Sequence, residues 1–302
     1  MIDLIGDIHG HANELEALLK KLGYAKKSGA YSHSERKVVF MGDYIDRGLQ
    51  IRETLEIVRA MVDSENAIAL MGNHEYNALC FHFQETEGGH LRKHLIKNII
   101  QHYETLQQFK NKQSEYDEYI HWFKTLPLFH ETNSFRAVHA CWDTNNIEFL
   151  KKTLVNDRLT DELIYQSVQE GTTLNEAIEQ SLKGIEMKLP EGLFFNDVEG
   201  AKREEIRIKW WENPSQMTYK SISVEPIEDL PETTVDITEL KSTDYSPNEK
   251  KVFIGHYWLT GEPSLLKENI CCLDYSVAKK GKLVAYRLDG ENKLEKNRLI
   301  YV

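Results

Sequence analysis

The 302-residue sequence lacks the features that mark membrane proteins and disulfide-rich proteins. No apolar run reaches 18 residues, the length a membrane-spanning helix requires, and no charged and then apolar leader precedes Ile2. There is no Cys-x-x-Cys pair, so free thiols, buried or half-buried, are predicted at Cys80, Cys141, Cys271 and Cys272. From these absences we expect a soluble, cytoplasmic protein without a membrane partner.

A surplus of basic residues is also absent. The chain has 37 Lys and Arg against 48 Asp and Glu, a formal net charge of -11. This balance argues against non-specific binding to nucleic-acid backbones or anionic lipid, although bound metal ions could still create a small electropositive site. With 41% hydrophobic and 28% charged residues, the composition is that of a soluble globular protein. The length suits one large α/β domain or a domain with an insertion.

The first third of the chain contains three similar units, each an apolar segment followed by a glycine-led polar loop and an amphipathic segment. The apolar segments are residues 2–5, 38–41 and 67–71, and the loops are residues 6–10, 42–48 and 72–75. This pattern is typical of strand, loop and helix. Because ligands of open α/β sheets bind at the carboxyl ends of the strands, we expect the three loops to meet at one edge.

The middle of the chain predicts helices. Residues 76–126 are polar with helix-spaced apolar positions and predict two or three helices. Residues 145–207 are again helical in character and lie between core strands, so they predict an inserted cap. Residues 225–251 are acidic, contain three prolines and predict a loosely ordered loop.

Further strands are predicted towards the end of the chain. Residues 135–139 and 252–256 are apolar segments that each end in a histidine. Three later segments are closely spaced and predict antiparallel pairing in a second sheet packed against the first: residues 270–274, 282–288 and 298–302.

Six residues of metal-ligand type lie at the ends of these apolar segments: Asp7, His9, Asp43, Asn73, His139 and His256. Each has a structural explanation when taken singly. Asp7 could cap the helix that follows, Asn73 could occupy a turn, and His256 could be a hydrogen-bonded, partly buried residue. Their coincidence favours a metal site, because imidazoles, carboxylates and an amide oxygen can supply two divalent cations. A bridging carboxylate holds such ions about 3.5–4 Å apart, and the pair activates water for in-line attack on phosphorus.

The loop at residues 42–48 adds two charged side chains to this set. Asp46 and Arg47 follow Asp43 between two glycines. A planar guanidinium matches phosphate oxygens, although an Asp-rich turn with a surface ion pair would have the same sequence.

Five blocks, in this order, resemble those of the calcineurin-like metallophosphoesterases: residues 6–10, 42–48, 72–75, 138–139 and 255–256. The Asp46-Arg47-Gly48 and Asn73-His74-Glu75 triplets are similar to those of the phosphoprotein-phosphatase branch, including its bacterial members. The resemblance implies an α/β fold, a double β-sandwich flanked by helices in an α/β/β/α arrangement. It implies one catalytic domain over residues 1–302, with the helical cap insertion at residues 145–207.

The resemblance also implies a role for each matched residue. Asp7 and His9 would hold one cation, Asp43 would bridge, and Asn73, His139 and His256 would hold the other. The catalytic residues would be His74 as general acid, Asp46 as the group that orients it, and Arg47 as the phosphate clamp. Arg47, Asn73 and His74 would bind the substrate phosphate, while Tyr44 and Glu75 would be structural.

Two departures from the family pattern stand out. Ala140 and Cys141 follow His139 where the family usually has glycine. The segment at residues 211–214 resembles a Trp-Ser-Asp-Pro segment of eukaryotic members, but their subsequent phosphate-binding arginine has no counterpart, and Lys220 is the substitute candidate, with a solvated surface lysine as the alternative.

The implied function is that of a metal-dependent phosphomonoesterase of serine/threonine protein phosphatase type, acting on a phosphoprotein or a small phosphoester. The alternative is a bis(5'-nucleosyl) polyphosphate or nucleic-acid-end phosphohydrolase, in which an aromatic side chain could stack a base: Trp142, Trp210, Trp211, Tyr219 or Tyr257. An alternative of another class is a catalytically silent metal-binding scaffold. The implied cofactors are two divalent ions, Mn²⁺ first, with Fe, Zn, Co or Ni also accepted by such ligands.

Overall fold

The computed structural model describes residues 1–196, 202–236, 240 and 245–302. The strands are β1 (Ile2–Ile5), β2 (Ala25–Lys27), β3 (Ala30–Ser32), β4 (Lys37–Phe40), β5 (Ala67–Ala69), β6 (Phe129–Glu131), β7 (Phe135–Val138), β8 (Glu186–Lys188), β9 (Phe195–Asn196), β10 (Lys202–Arg203), β11 (Glu205–Arg207), β12 (Lys251–Ile254), β13 (Ile270–Cys272), β14 (Asp274–Tyr275), β15 (Lys282–Leu288) and β16 (Leu299–Tyr301). The helices are α1 (Ala12–Lys21), α2 (Ile51–Asp63), α3 (Asn73–His82), α4 (Ile96–Gln108), α5 (Gln113–Phe123), α6 (Thr144–Thr153), α7 (Asp161–Ser167), α8 (Thr173–Lys183) and α9 (Tyr219–Ile222).

The first sheet has the strand order β14-β15-β1-β4-β5, and β16 also pairs with β15. Strands β1, β4 and β5 are parallel, as their near-continuous apolar sequences predict, since such strands are covered on both faces. Strand β15 runs antiparallel to β1, with Ile2 opposite Leu288 and Ile5 opposite Ala285. The parallel strands end at one edge, where the polar loops begin.

The second sheet has the order β13-β12-β7-β6 and differs from the prediction for the last strands. Strand β12 is parallel to both β7 and β13, so β13 is not antiparallel. Strands β14, β15 and β16, which the sequence predicts in the second sheet, belong to the first. The short turns between them correctly predict antiparallel pairing, but turn length does not reveal which long-range partner a strand takes, and β15 finds β1.

The hydrophobic core lies between the two sheets. Leu4 and Val39 of the first sheet share one buried cluster with Phe135 and Phe253 of the second. The ring of Phe253 lies 5.2 Å, centroid to centroid, from that of Tyr286 in β15. Each of these large side chains contributes about 1.5–3 kcal/mol when it is buried. Helices α1 and α2 pack on the first sheet, and the fold is a double β-sandwich flanked by helices, as expected.

Two compact units divide the chain, one of residues 1–182 and 250–302 and the other of residues 183–249. Within the first, α3, α4 and α5 match the two or three helices predicted for residues 76–126. Within the second, β8 pairs with β11 and β9 with β10. Among the described helices, none is long and apolar enough to cross a membrane.

The predicted cap, residues 145–207, extends across both units. Helices account for it only as far as Lys183, because Gly184, with a φ of 82°, takes the chain out of helix α8. Strands follow from Glu186, where the sequence predicts helix, and Met187 is buried between exposed neighbours, the alternation of a strand. Its role as a cap stays a prediction. Residues 237–239 and 241–244 of the acidic segment 225–251, predicted to be loosely ordered, lie outside the described residues.

Candidate metal centre

Backbone hydrogen bonds join the loop after β1 to the loop after β4, and the loop after β7 to the loop after β12. The N–H groups of Ile8 and His9 donate to the carbonyl oxygen of Asp43, at 3.1 and 2.9 Å. The N–H of Gly255 donates to the carbonyl oxygen of His139 at 2.8 Å. Because each loop carries a ligand-type residue, these bonds bring together side chains distant in the sequence, and the N–H of His256 links the two pairs by donating to Asp7 Oδ2.

Backbone conformation distinguishes these loops from ordinary turns. Five of the predicted site residues have a left-handed backbone, with φ of 47° at His9, 56° at Asp43, 64° at Asp46, 67° at Arg47 and 70° at His256. Each such residue costs about 1–3 kcal/mol and persists only where the surrounding structure enforces it. The clustering of this strain is typical of a functional site.

Asp43 is the centre of the arrangement. Its Oδ2 lies 3.5 Å from His9 Nε2, 3.4 Å from His139 Nε2 and 3.9 Å from His74 Nε2, and its Oδ1 accepts the N–H of His74. Burial alone would raise the pKa of this carboxyl, but the neighbouring His139 and His74 lower it well below its usual range. Asp43 is therefore a buried carboxylate facing several imidazoles, which suits a group that bridges two cations.

Asn73 joins the histidines of the second sheet. Its Oδ1 lies 3.1 Å from His139 Nε2 and 2.8 Å from His256 Nδ1. The other ring nitrogen of His139 donates to the carbonyl oxygen of Met41 at 2.8 Å, which fixes the ring. The structure thus brings together Asp43, Asn73, His139 and His256.

The donor set fits a pair of divalent cations. Two buried polar atoms, Asp7 Oδ1 and His9 Nε2, have no hydrogen-bond partner among the described residues, and an orphaned donor or acceptor is costly unless something binds it. The other ends of both side chains are fixed, since Asp7 Oδ2 accepts the N–H of His256 and His9 Nδ1 donates to the carbonyl oxygen of Ile45, each at 2.9 Å. Residues that are held at one end and unsatisfied at the other are typical metal ligands.

Two glycines make room for the carboxylates. A Cβ built on Gly72 would collide with the carboxylate and backbone nitrogen of Asp43, and one built on Gly255 would collide with the carboxylate of Asp7. Glu75 fixes the same region by accepting the backbone N–H groups of Gly72, Asp43 and Tyr44, which is a structural contact.

A hydrogen-bonded chain of side chains extends from His74. Its Nδ1 lies 2.5 Å from Asp46 Oδ2, and Asp46 Oδ1 is bound by His102 Nδ1 at 2.7 Å and Thr105 Oγ1 at 2.6 Å. Burial disfavours the charged form of His74, but Asp43 and Asp46 outweigh it and raise the pKa of His74 above its usual value. Burial would likewise raise the pKa of Asp46, yet His102 and His74 lower it.

The sequence prediction missed His102 and Thr105, which lie on α4. Nothing in the sequence separates His102 from seven other histidines outside the matched blocks, so no local signal was available. Trp258 was also missed, although it lies two residues after His256, and the guanidinium carbon of Arg47 is 5.0 Å from the centre of its ring.

The aromatic residues predicted for base stacking are buried, none with more than 9% of its surface exposed: Trp142, Trp210, Trp211, Tyr219 and Tyr257. That exposure is too small for a stacking platform, so their packing explains them. Lys220, the substitute for the missing arginine, lies 3.5 Å from Glu232 within residues 183–249. Ala140 stands where the family usually has glycine. Its backbone N–H is hydrogen-bonded, donating to the carbonyl oxygen of Ser181 at 2.9 Å.

Comparison with known proteins gives consistent matches. A sequence model described as calcineurin-like phosphoesterase matches residues 1–180. A bis(5'-nucleosyl)-tetraphosphatase of Oceanobacillus iheyensis is 34% identical over 140 residues, which cover 46% of this chain and 54% of that protein. Another, of Geobacillus sp. WCH70, is 49% identical over 74 residues, covering 24% of this chain and 30% of the relative. The chain thus spans about half or less of the curated relatives it matches.

Among solved structures, a serine/threonine protein phosphatase of Saccharomyces cerevisiae matches with a TM-score of 0.51 and 14% identity, over 100% of this chain and 78% of that one. At this identity the match shows a shared fold and no more.

Proposed function

Because this chain belongs to the calcineurin-like phosphoesterase family, we propose that it hydrolyses phosphate esters at a centre of two divalent cations. One observation carries the proposal: two clusters, His9–Asp43–His74 and Asp43–His139–His256, share the buried Asp43. Within each cluster the ligand atoms lie within 4.8 Å of one another. A shared carboxylate between two ligand groups is the arrangement that a dinuclear centre needs.

In this proposal Asp7, His9 and Asp43 hold one cation, and His74 of the first cluster is the general acid and not a ligand. The other is held by Asp43 together with Asn73, His139 and His256. When bound, the cations would lower the pKa of water and neutralise charge on the phosphoryl oxygens. Mn²⁺ is our first choice, and Fe, Zn, Co and Ni also suit mixed imidazole, carboxylate and amide ligands.

The chain's own side chains would complete the chemistry. His74 is bound to Asp46 through Nδ1. Its other ring nitrogen, Nε2, lies 3.9 Å from Asp43 Oδ2 and therefore points towards the candidate centre. A proton on Nε2 could pass to the oxygen of the leaving group, while Asp46 keeps the ring oriented. The half-buried guanidinium of Arg47 would bind phosphoryl oxygens, with Asn73 and His74 as further phosphate contacts.

Bis(5'-nucleosyl) polyphosphates are the first substrate class we propose, because both curated relatives above are named as tetraphosphatases. A phosphomonoesterase of serine/threonine type is the second, supported by the Asp46-Arg47-Gly48 and Asn73-His74-Glu75 triplets, which provide an acid and a clamp for a terminal phosphate. Burial of the aromatics predicted to stack bases removes that support from both nucleotide classes, and nucleic-acid ends have no relative's name to replace it. A silent scaffold would not need the oriented His74–Asp46 pair.

The test uses metal-stripped protein reconstituted with Mn²⁺ and offered an aryl phosphate monoester, an aryl phosphate diester and diadenosine tetraphosphate. We expect metal-dependent turnover that falls by about 10²- to 10⁴-fold in His74→Ala, the usual contribution of a general acid. Asp43→Asn should lose both metal and activity, whereas exposed His121→Ala should retain both. Wild-type turnover in His74→Ala would reject the mechanism, and full metal occupancy in Asp43→Asn would reject the bridging role.

A further inference from the structure

Trp258 has the same unusual backbone as the predicted site residues beside it. Its φ is 53°, a value that a bulky side chain rarely adopts. The buried carboxylate of Asp274 holds it there, since Asp274 Oδ2 accepts the N–H of Trp258 at 2.7 Å and Oδ1 accepts the N–H of Ser276 at 3.0 Å. Trp258 lies two residues after His256, and the buried Asp274 holds its backbone in a costly conformation. Such strain is typical of functional sites, so the contacts of the indole ring are informative.

The indole ring of Trp258 contacts two cations next to the candidate metal centre. The ring centre lies 5.0 Å from the guanidinium carbon of Arg47 and 3.9 Å from the ammonium nitrogen of Lys279. The centre of the His9 imidazole lies 5.9 Å from the centre of the indole ring. Both distances are within the range of cation–π attraction, so one ring positions two positive charges beside a predicted metal ligand.

Lys279 lies at the end of a short turn and is exposed. It ends the 3-10 turn Val277–Lys279, which is flanked by the left-handed residues Ser276 and Lys280. Among the described residues no carboxylate forms an ion pair with it, whereas Lys282 lies 2.6 Å from Glu262. In a chain of net charge -11, an exposed ammonium without an acidic partner beside the candidate centre is a feature that an anion can use.

We propose that Lys279, which contacts the same indole ring as Arg47, binds a second phosphate group of the substrate, so that the site favours nucleoside polyphosphates over single phosphate esters. This inference rests on the proposed function, in which Arg47 binds the phosphate that is cleaved. Consecutive phosphates share a bridging oxygen, so the neighbour of the clamped phosphate falls within reach of a long lysine side chain. A single ester has no group at that position.

Trp258 adds preorganisation to this second contact. A flexible lysine loses rotamer freedom when it binds a ligand, which reduces affinity. Contact with the indole ring restricts the Lys279 side chain in the free protein, and the same ring also contacts Arg47. Because cations occupy the ring, Trp258 acts as a support for charges and not as a platform for a base.

Binding of two ligands that differ only in their number of phosphates tests the proposal. Adenosine 5'-tetraphosphate and AMP are titrated into Mn²⁺-reconstituted His74→Ala protein at a fixed free Mn²⁺ concentration, with and without Lys279→Ala. We expect Lys279→Ala to weaken tetraphosphate binding about tenfold, the usual effect of losing one charge-assisted contact, and AMP binding less than about twofold. Lys279→Arg should keep the preference, and the control Lys280→Ala, the exposed neighbour, should change neither affinity.

Equal weakening of both ligands would show that Lys279 only supports the loop, and an unchanged tetraphosphate affinity would show that it binds nothing; either result overturns the inference. Turnover is measured separately in protein that retains His74, with and without Lys279→Ala. This measurement tests the proposed hydrolysis, whereas the binding assay tests the second phosphate contact. Discriminating binding without turnover of any phosphate ester would uphold the second phosphate contact and reject the proposed function. If Lys279→Ala changes neither the turnover of diadenosine tetraphosphate nor tetraphosphate binding, the proposed function is upheld and the second phosphate contact is rejected.

Discussion

Asp46 shows how much one carboxylate can depend on residues outside its own loop. Both oxygens are engaged, one by His74 and the other by His102 and Thr105, and the N–H of Asp46 donates to Thr105 Oγ1 at 3.0 Å. His102 is in turn held by the hydroxyl of Tyr116 at 2.6 Å. The orientation of the proposed general acid is therefore set by helices α4 and α5, and His102 is a positioning residue.

Replacing His102 should weaken acid catalysis without removing the acid. In His102→Phe, which retains a ring beside Tyr116, Asp46 loses a charge-assisted hydrogen bond, and we expect kcat to fall about tenfold with KM nearly unchanged. The fall should be larger for phenyl phosphate than for p-nitrophenyl phosphate, since a poor leaving group depends more on protonation. An equal fall for both substrates would indicate a purely structural role.

At the scale of elements, short strands are joined by charged side chains as well as by core packing. The carboxylate of Glu131 in β6 forms three ion pairs among the described residues. Its oxygens lie 3.0 Å from Arg136 Nε in β7, 2.7 Å from Lys151 Nζ in α6 and 2.9 Å from Lys250 Nζ. Its partial burial would raise the pKa of the Glu131 carboxyl, but the hydrogen bonds from Lys151, Lys250 and Arg136 lower it to about 2. Glu131 thus ties a helix and the chain leading into β12 to the edge of the second sheet.

Glu131→Gln should lower the free energy of unfolding by about 1 kcal/mol at pH 7, the upper end for a largely solvated ion pair. Because the folded-state pKa is depressed, this stability is fully present above the unfolded pKa near 4.5 and is lost as pH falls towards 2. Denaturant titrations of both proteins between pH 7 and pH 2 measure it. Glu148→Gln, which removes an exposed partner of Lys151 at 2.8 Å, should cost less. A difference that persists at pH 2 would contradict the electrostatic explanation.

Element types were largely predictable, and element partners were not. The segment at residues 282–288 matches β15 residue for residue, because its short apolar run and bounding turns are local signals. Its assignment to the second sheet was wrong, since pairing with β1 depends on a contact between opposite ends of the chain. The prediction of helix beyond Lys183 was also wrong, since Glu186–Lys188 forms strand β8.

At the scale of the whole molecule, two sheets supply one candidate centre. Asp7, His9 and Asp43 follow strands of the first sheet, whereas His139 and His256 follow strands of the second. Packing the sheets face to face buries these groups together, with Asp274 also buried nearby. Buried carboxylates are costly unless positive charge compensates them, so bound cations should stabilise the folded chain.

Removing metal should therefore lower the midpoint of thermal unfolding by several degrees. At free metal about 100 times the dissociation constant, binding to the folded state alone contributes about 2.7 kcal/mol. Calorimetry of the Mn²⁺-loaded and chelator-treated protein measures the shift, and Asp43→Asn treated in the same way is the control. An identical midpoint with and without metal, or an equal shift in Asp43→Asn, would argue against binding at this centre.

The sequence by itself determined the residue types of the candidate site and predicted a metal centre, because each ligand-type residue lies at the end of an apolar strand or beside a glycine, and such signals are local. Only the tertiary structure decided the rest. That His102 binds Asp46, that Asp274 fixes Trp258, and that Lys279 lies on the same ring as Arg47 all depend on segments that meet through packing. A hydrogen bond between residues 46 and 102 leaves no periodicity in the chain, since it arises only after the sheets and helices have come together.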